Sequence, residues 1–297
     1  MFLATPLTFL NELPQWCKFV KVRSGSPLDY HDPIPQNQTV PPLPLQMVAP
    51  APRLEVDLVD FVLVLVVAVG AILVIPTIAV VIYFLSHRQS GFDLKALNQN
   101  VTFLLPVQLV IYLVVVGFMA FIVSTRHNNS FKQIIHWNFP TGTRWLSALG
   151  GGAAMGLGSQ VASAFLSRWI PKSVPFDQYF RDATSAYMLA GFGIFIAPMV
   201  EELFFRGFMY PAIGRWIGAA PSVMLTSAAF SLLHQAQLAH AWAPLLILFW
   251  VGVALTVVRA RTNSVATCVL VHMGYNGALF GLMFYFTEGF RHLERAV

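Results

Sequence analysis

The sequence predicts an all-α fold, a polytopic transmembrane helical bundle of about seven to eight spans. The first observation is composition: of 297 residues, 57% are hydrophobic and only 10% are charged, whereas a soluble domain averages about 25% charged residues. The second is that the apolar residues fall into separate runs, each near the roughly 20 residues that cross a bilayer. The third is a formal net charge of +5, which fits loops facing anionic lipid better than a nucleic-acid surface.

Composition along the chain divides it into four regions. Residues 1–53 form a flexible, Pro-rich N-terminal tail, because the prolines in its second half exclude regular structure. Residues 54–140 hold the first two transmembrane helices and their connecting loops. Residues 141–286 form the core that carries the polar residues discussed below, and residues 287–297 form a short C-terminal tail.

Apolar runs predict the individual spans. In order, the runs are 58–85, 101–123, 145–166, 187–210, 221–236, 242–258 and 264–286. In the third run Gly152 and Gly156 stand four residues apart, a spacing that permits close helix contact. A re-entrant or interfacial eighth helix is expected around 131–140 or 173–185.

Polar side chains inside the predicted spans are the functional signal. An ionisable group at the bilayer centre costs about 2.5–3.5 kcal/mol on insertion scales, so such a group marks a functional site by default. Measured from the membrane face that carries the loops 211–220 and 259–263, the intramembrane groups lie at depths between about 12 and 20 Å at 1.5 Å per residue. We therefore expect them to converge in one layer. The five groups at these depths are Glu201, Glu202, His234, His272 and Asn276, and Arg206 follows Glu202 by four residues on the same span.

Helical spacing assigns these groups to faces. Glu202 and Arg206 are related by i,i+4 with the acid first, so they should form an ion pair with a structural role. Glu201 is turned about 100° away and is left to face the bundle interior. His272 and Asn276 are also i,i+4 neighbours, so both should point into one cavity.

The residue types favour hydrolysis. A carboxylate beside an imidazole, here Glu201 with His234, can activate water as a general base. A second imidazole and an amide, His272 and Asn276, supply donors for a developing oxyanion. Other intramembrane protease chemistries are excluded, because the chain has no H-E-x-x-H zinc motif, no Gly-x-Ser-x-Gly elbow and no paired membrane aspartates. A proton relay in a transporter remains an alternative for the Glu201 and His234 pair.

Three short motifs resemble a known family. They are "EELFFRG" at 201–207, which matches E-E-x-x-x-R, "FSLLH" at 230–234, which matches F-x-x-x-H, and "HMGYN" at 272–276, which matches H-x-x-x-N. In order and spacing they are similar to the CPBP family, the type II CAAX prenyl endoprotease and bacteriocin-processing group. Gly252 and "RTNS" at 261–264 add to the likeness, whereas Thr256 stands where the family pattern has a second glycine. The resemblance covers about 185–286.

The resemblance implies an intramembrane endopeptidase, with 141–286 as a CPBP-like intramembrane protease core. Carried over to this chain, Glu201 and His234 would activate the water, and His272 and Asn276 would stabilise the oxyanion. The remaining motif positions would support the site structurally; they are Glu202 and Arg206.

The resemblance leaves the metal question open between two mechanisms. A glutamate-type mechanism without a cofactor is favoured, because the polar residues already supply a base and donors. Zinc is the alternative, with Glu201, His234 and His272 as its ligands, which would leave Glu202 as the only separate base.

Substrate and location follow from the family and from charge. The expected partners are the lipid bilayer and a peptide or membrane-anchored protein substrate, either CAAX-type or another membrane-associated peptide, and no nucleic acid. A non-enzymatic immunity or scaffold protein that keeps the fold is the alternative function. Arg206, Arg215, Arg259 and Arg261 crowd one membrane face and the loop 237–241 has no Lys or Arg. By the positive-inside rule we expect an integral protein of the bacterial cell membrane with its site open to the cytoplasm.

Overall fold

The computed structural model of the protein describes residues 56–87, 93–127 and 129–295, and within them every regular element is helical. The predicted tail at 1–53 lies outside the described residues. The long helices are α1 Leu58–Ser86, α2 Val101–Arg126, α3 Arg144–Phe165, α4 Ala183–Ile217, α5 Ala219–Leu233, α6 Trp242–Thr262 and α7 Val265–Phe286. The predicted all-α class is confirmed, and each long helix coincides with one predicted apolar run.

Short helical turns occupy the connections. They are the α-helical turns Leu94–Leu97 and Phe131–Ile134 and the 3₁₀ turns Ser167–Trp169, Pro175–Tyr179 and Leu293–Arg295. The two places considered for an eighth helix, 131–140 and 173–185, therefore hold only four and five residues of helix before α4 begins. Neither is long enough to cross a bilayer, so the helix expected at these places is at most a short re-entrant or interfacial turn.

Membrane crossing can be judged from length and composition. Among the described residues, five helices are long and apolar enough to cross a bilayer, namely α1, α2, α4, α6 and α7. Helix α5 is apolar but has only 15 residues, and α3 falls outside the set of five. The predicted count of seven to eight spans is thus approximate, while the integral membrane character is supported by these helices.

Helix α4, which carries the double-acid motif, is not uniform. Its segments in order are α-helical Ala183–Gly191, π-helical Phe192–Ile196, α-helical Ala197–Glu202, π-helical Leu203–Met209 and α-helical Tyr210–Ile217. The Asp182 side chain caps its start by accepting from the backbone N–H of Ser185, and Gly218 ends it with φ +85°. Because Asp182 and Gly218 set its ends, α4 extends beyond the predicted run 187–210 in both directions. Single π-helical turns occur often at functional sites.

Helices α3 and α7 touch through their backbones. A Cβ atom added to Gly152 would lie 1.9 Å from the carbonyl oxygen of Val271, and one added to Gly274 would lie 2.1 Å from the carbonyl oxygen of Leu149. From Gly152 to Gly156 the facing carbonyl oxygen moves from Val271 to Tyr275, so the two helices are parallel. The close contact predicted from the glycine spacing is confirmed.

Helices α1 and α2 pack against α4 and are joined by an ion cluster. Apolar side chains such as Val64 on α1, Met119 on α2 and Phe208 on α4 are fully buried in one core. At one end, the buried carboxylate of Asp60 accepts from Arg126 Nε at 2.5 Å and contacts His127 Nε2 at 2.9 Å. This arrangement places α2 alongside the helix that carries the two acids.

Candidate active site

Glu202 and Arg206 form a fully buried ion pair, in which Arg206 Nη1 donates to Glu202 Oε1 at 2.9 Å. The remaining donors of the guanidinium are directed at α6. Nη2 donates to the carbonyl oxygen of Gly252 at 3.0 Å and Nε donates to Thr256 Oγ1 at 3.3 Å. The ion pair expected from the i,i+4 spacing is therefore present, and it also fixes α4 to α6.

Thr256 replaces a family glycine without leaving a polar group unsatisfied. Its hydroxyl donates to the Gly252 carbonyl oxygen at 2.8 Å and accepts from Arg206. Gly252 itself keeps α6 close to α5, because a Cβ atom added there would lie 3.1 Å from Ser227. The substitution thus adds a contact to the buried arginine.

His272 links the two acids. Its Nδ1–H donates to Glu202 Oε1 at 2.8 Å, and its Nε2 lies 3.9 Å from Glu201 Oε2. A carboxylate can only accept, so the bond places a proton on Nδ1 and directs Nε2 toward Glu201. Glu202 was expected to pair with Arg206 alone, and the bond to His272 is the contact that this expectation missed.

Glu201 is the accessible acid of the layer. Its side chain is 22% exposed, whereas that of Glu202 is 0% exposed. Across from α4, the ring of Tyr112 on α2 stacks on Phe192 with ring centroids 5.6 Å apart. Tyr112 lies outside every motif, and nothing in its sequence context marked this contact.

His234 lies at the end of α5, one residue beyond Leu233, where its backbone ends the helix. Its Nδ1–H donates to the Phe230 carbonyl oxygen at 2.9 Å. Among the described residues no hydrogen bond or ion pair joins His234 to Glu201. The predicted run 221–236 is too long at this end, since the helix stops before His234. The role of His234 in activating water stays a prediction.

Asn276 and His272 contact different partners on α4. Its Nδ2 donates to the Gly193 carbonyl oxygen at 2.7 Å, inside the first π-helical segment of α4. The two i,i+4 residues of α7 therefore contact different segments of α4. Asn276 keeps a second amide hydrogen and a carbonyl oxygen beyond this bond.

Phe230 packs at the centre of the site. It is 1% exposed, its ring centroid is 5.0 Å from that of His234 and 5.8 Å from that of His272, and Arg206 Cζ lies 4.9 Å above it. This geometry gives a cation–π contact and holds both imidazoles. Phe230 is the first residue of the F-x-x-x-H motif, which is the sequence signal that could have identified it.

A metal ion would need several ligand side chains gathered around one point. Within the ranges that the structure describes, no group of three or more His, Cys, Asp or Glu side chains is placed to hold one. Of the set named for zinc, Glu201 and His272 lie 3.9 Å apart, and among the described residues no hydrogen bond or ion pair joins His234 to either of them. The three side chains are therefore not gathered as a ligand set. Chemistry without a metal remains a prediction.

Two of the arginines used to predict orientation are internal. Arg206 is buried in its ion pair, and Arg259 is buried with its Nε donating to the Arg206 carbonyl oxygen at 3.1 Å and its Nη1 to Asn263 Oδ1 at 2.5 Å. Arg215 and Arg261 are exposed. The charge asymmetry that faces solvent is thus smaller than the sequence count indicated.

The fold and the site define a helical integral membrane protein with a buried layer of paired acids, imidazoles and one arginine. Residues 183–278 match the family described as Rce1-like, type II CAAX prenyl endopeptidase. This segment, which contains all six predicted site residues, is an Rce1-like domain, consistent with the CPBP family. The match covers less than half of the chain. Comparison with curated proteins and with solved structures gave no significant match in either case.

Proposed function

We propose that this protein is an intramembrane endopeptidase that hydrolyses peptide bonds with a water molecule activated by Glu201. One observation carries the proposal: the partly exposed carboxylate of Glu201 lies 3.9 Å from Nε2 of a histidine that a fully buried ion pair holds in place. The Rce1-like domain at 183–278 supports the protease class.

The distances suit a water molecule beside both groups. Hydrogen bonds of about 2.8 Å from one water to Glu201 and to His272 would meet at roughly a right angle over this gap. Glu201 would take a proton from the water as its oxygen attacks the carbonyl carbon, and would later give that proton to the leaving amine. The bond made is C–O and the bond broken is the peptide C–N.

Charge balance supports His272 as the donor to the oxyanion. With its Nδ1–H on Glu202, a doubly protonated His272 would present Nε2–H toward the reacting carbonyl oxygen. His272 and Arg206 would then carry two positive charges opposite the two negative charges of Glu201 and Glu202. His234 would orient the water and Asn276 would add a second donor, as the resemblance implies.

The substrate class follows from the domain and from the depth of the site. A peptide or membrane-anchored protein must bring its scissile bond to a layer inside the helices, which suits CAAX-type C-termini or other membrane-associated peptides. The proposed setting is the cell membrane of a bacterium, with the site open to the cytoplasm.

A cleavage assay tests the activity. Purified protein in lipid nanodiscs is incubated with a fluorogenic CAAX peptide, once farnesylated and once unmodified. We expect cleavage by the wild type and by Glu294→Gln, an exposed control, and loss of cleavage in Glu201→Gln. Absence of cleavage by the wild type would favour the scaffold function, and equal cleavage by the wild type and Glu201→Gln would show that Glu201 is not the base. The ratio of the two peptides reports whether the prenyl group is recognised.

Cysteine labelling tests the orientation. Gly218 has φ +85°, so a side chain there would be strained, and Ala220 on the same membrane face is the better position. In a Cys17→Ser background, where Cys268 is buried, an impermeant thiol reagent should label Ala236→Cys in intact cells. Ala220→Cys should react only after permeabilisation. The opposite pattern would reverse the topology.

A further inference from the structure

The carbonyl oxygen of Arg206 lies where α4 cannot supply a backbone donor for it. At the end of the π-helical segment Leu203–Met209, the N–H of Tyr210 donates to the Phe205 carbonyl oxygen, five residues back. In the same register the Arg206 carbonyl would accept from the N–H of residue 211, but Pro211 has no N–H. Arg206 is fully buried, so this carbonyl needs a partner from elsewhere in the protein.

Arg259 on α6 supplies the missing donor. Its Nε–H donates to the Arg206 carbonyl oxygen at 3.1 Å, and the residue as a whole is only 4% exposed. A hydrogen bond from a charged donor is stronger than one between neutral groups. The guanidinium of Arg259 therefore completes the hydrogen bonding of α4 at the point where Pro211 interrupts it.

The guanidinium is held in turn by Asn263, which ends α6. Asn263 Oδ1 accepts from Arg259 Nη1 at 2.5 Å, and the backbone of Asn263 is left-handed, with φ +48°, a conformation that asparagine adopts more readily than most residues. Its own contacts come from the segment before α3. Nδ2 lies 3.3 Å from His136 Nδ1, and the carbonyl oxygen accepts from Asn138 Nδ2 at 3.1 Å. The position of Arg259 is thus fixed from the side away from α4.

A chain of hydrogen bonds joins Arg259 to the proposed reaction site. Arg206 Nη1 donates to Glu202 Oε1 at 2.9 Å, and His272 Nδ1–H donates to the same oxygen at 2.8 Å. Glu202 precedes the π-helical segment and Arg206 lies within it, so the geometry of this segment determines how the two side chains face each other. Arg259 fixes that geometry through the backbone of Arg206.

We propose that Arg259 is a positioning residue for peptide hydrolysis. By replacing the backbone donor that Pro211 lacks, it holds the second π-helical segment of α4 so that Arg206 and Glu202 keep His272 in place. The effect on hydrolysis rests on the proposed function, whereas the effect on the position of His272 does not.

The relation between Arg259 and Pro211 allows a rescue experiment. Arg259→Met keeps a long side chain but removes the donor. We expect its kcat to fall about 10- to 100-fold, the scale of a misplaced catalytic group, with KM within about twofold of wild type. Pro211→Ala restores an N–H that can reach the Arg206 carbonyl within the helix, and alone it should leave kcat within about twofold of wild type.

Pro211→Ala combined with Arg259→Met should be about three- to tenfold more active than Arg259→Met, because the two positions serve one acceptor and are therefore coupled. The matched control is Pro106→Ala in the Arg259→Met background. Pro106 is an exposed proline inside α2, so the control makes the same substitution within a helix without supplying a donor to Arg206. It should recover no activity.

Nuclear magnetic resonance gives a readout that does not depend on cleavage. In protein with ¹⁵N-labelled histidine, the ring signals of His272 are identified by their loss in His272→Gln. They should move in Arg259→Met, return toward their wild-type positions when Pro211→Ala is added, and fail to return with Pro106→Ala. Arg259→Lys keeps the charge but not the planar fork of the guanidinium, so its signals and kcat should fall between those of wild type and Arg259→Met.

If Arg259→Met does not fold, Arg259→Lys takes its place in each comparison. If neither folds, the yield of folded protein becomes the measure, and Pro211→Ala should restore it where Pro106→Ala does not. Equal recovery by the two proline substitutions overturns the role of Arg259, as do unmoved His272 signals in a folded Arg259 variant. A wild-type protein that cleaves no peptide overturns the proposed function. In that case, His272 signals that move and are rescued still support the positioning role, and signals that do not move overturn it.

Discussion

Around Glu202 the polar groups bond to one another at 2.8–3.3 Å and are shut away from solvent, whereas around Glu201 they are spaced more widely and partly open. The two acids are neighbours in the chain, yet they belong to regions with different properties. The Glu202 region joins α4, α6 and α7, so the positions of its side chains are fixed by three helices. The Glu201 side chain is 22% exposed and so is accessible to water. The Glu202 region therefore maintains the geometry of the site, whereas the Glu201 region is where we propose that the reaction takes place.

The largest effect is expected from breaking the Glu202 region. Glu202→Ala would leave the buried Arg206 without its carboxylate and His272 without its acceptor. Removing one partner of a buried ion pair costs about 3–5 kcal/mol. Thermal unfolding in detergent and the yield of folded protein in membranes should both fall well below those of Glu294→Ala. A wild-type unfolding temperature for Glu202→Ala would contradict the structural role.

The second effect is a loss of activity without a loss of stability in the Glu201 region. Glu201→Gln keeps size and polarity but removes the base, so cleavage should fall by about 10² or more. The unfolding temperature should stay near that of the wild type, because no ion pair of the buried region is broken. If Glu201→Gln cleaves normally while Glu202→Gln is folded and inactive, the two acids have exchanged roles.

Asp182, the N-cap residue of α4, is an exposed carboxylate that can be compared with Glu201 and Glu202. Hydrogen bonds from the backbone and hydroxyl of Ser185 hold the pKa of the Asp182 carboxyl below its usual range. Its contribution to stability is therefore present above the unfolded pKa of about 3.9 and is lost as the pH falls through the lower folded pKa. Asp182→Ala should remove an N-cap worth about 1 kcal/mol at pH 7.

Comparing the unfolding temperatures of wild type and Asp182→Ala at pH 7 and at low pH checks this sign. The gap between the two proteins should shrink as the solution is acidified. A gap that widens on acidification would show that Asp182 is not the cap.

The smallest expected effect is that of metal removal on the Glu201 region. If Glu201 is the base and His272, His234 and Asn276 supply the other polar groups, a strong chelator should leave the rate of cleavage by purified protein unchanged. Loss of cleavage that Zn²⁺ alone restores would establish the metal mechanism and reassign Glu201 from base to ligand.

Local features of the sequence predicted the helices well. Each apolar run became a helix because a bilayer-length segment must satisfy its backbone bonds internally. The Glu202 and Arg206 pair needed only the i,i+4 spacing. The largest boundary errors occurred where a cap or a helix end decided the length, as at Asp182, Gly218 and His234.

Contacts between helices could not be predicted in the same way. His272 bonds to Glu202 across 70 positions of sequence, and that contact depends on how each helix is rotated about its axis by packing. The π-helical segments of α4 change this rotation without a clear sequence signal. Tyr112 illustrates the limit, since its ring stacks on Phe192 only because α2 is held beside α4.

The backbone contact between α3 and α7 has a consequence for the route of the substrate. At Gly152 and Gly274 no side chain separates the two helices, so this seam has no rotamers that could swing aside. Helix α7 carries His272 and Asn276, so the α3 and α7 pair forms a closely packed side of the site. Under the proposed function, a peptide would then reach the site between helices that meet through side chains, as α2 and α4 do where Tyr112 rests on Phe192. The entry route of the peptide and the closely packed pair of α3 and α7 would then lie in different parts of the helical bundle.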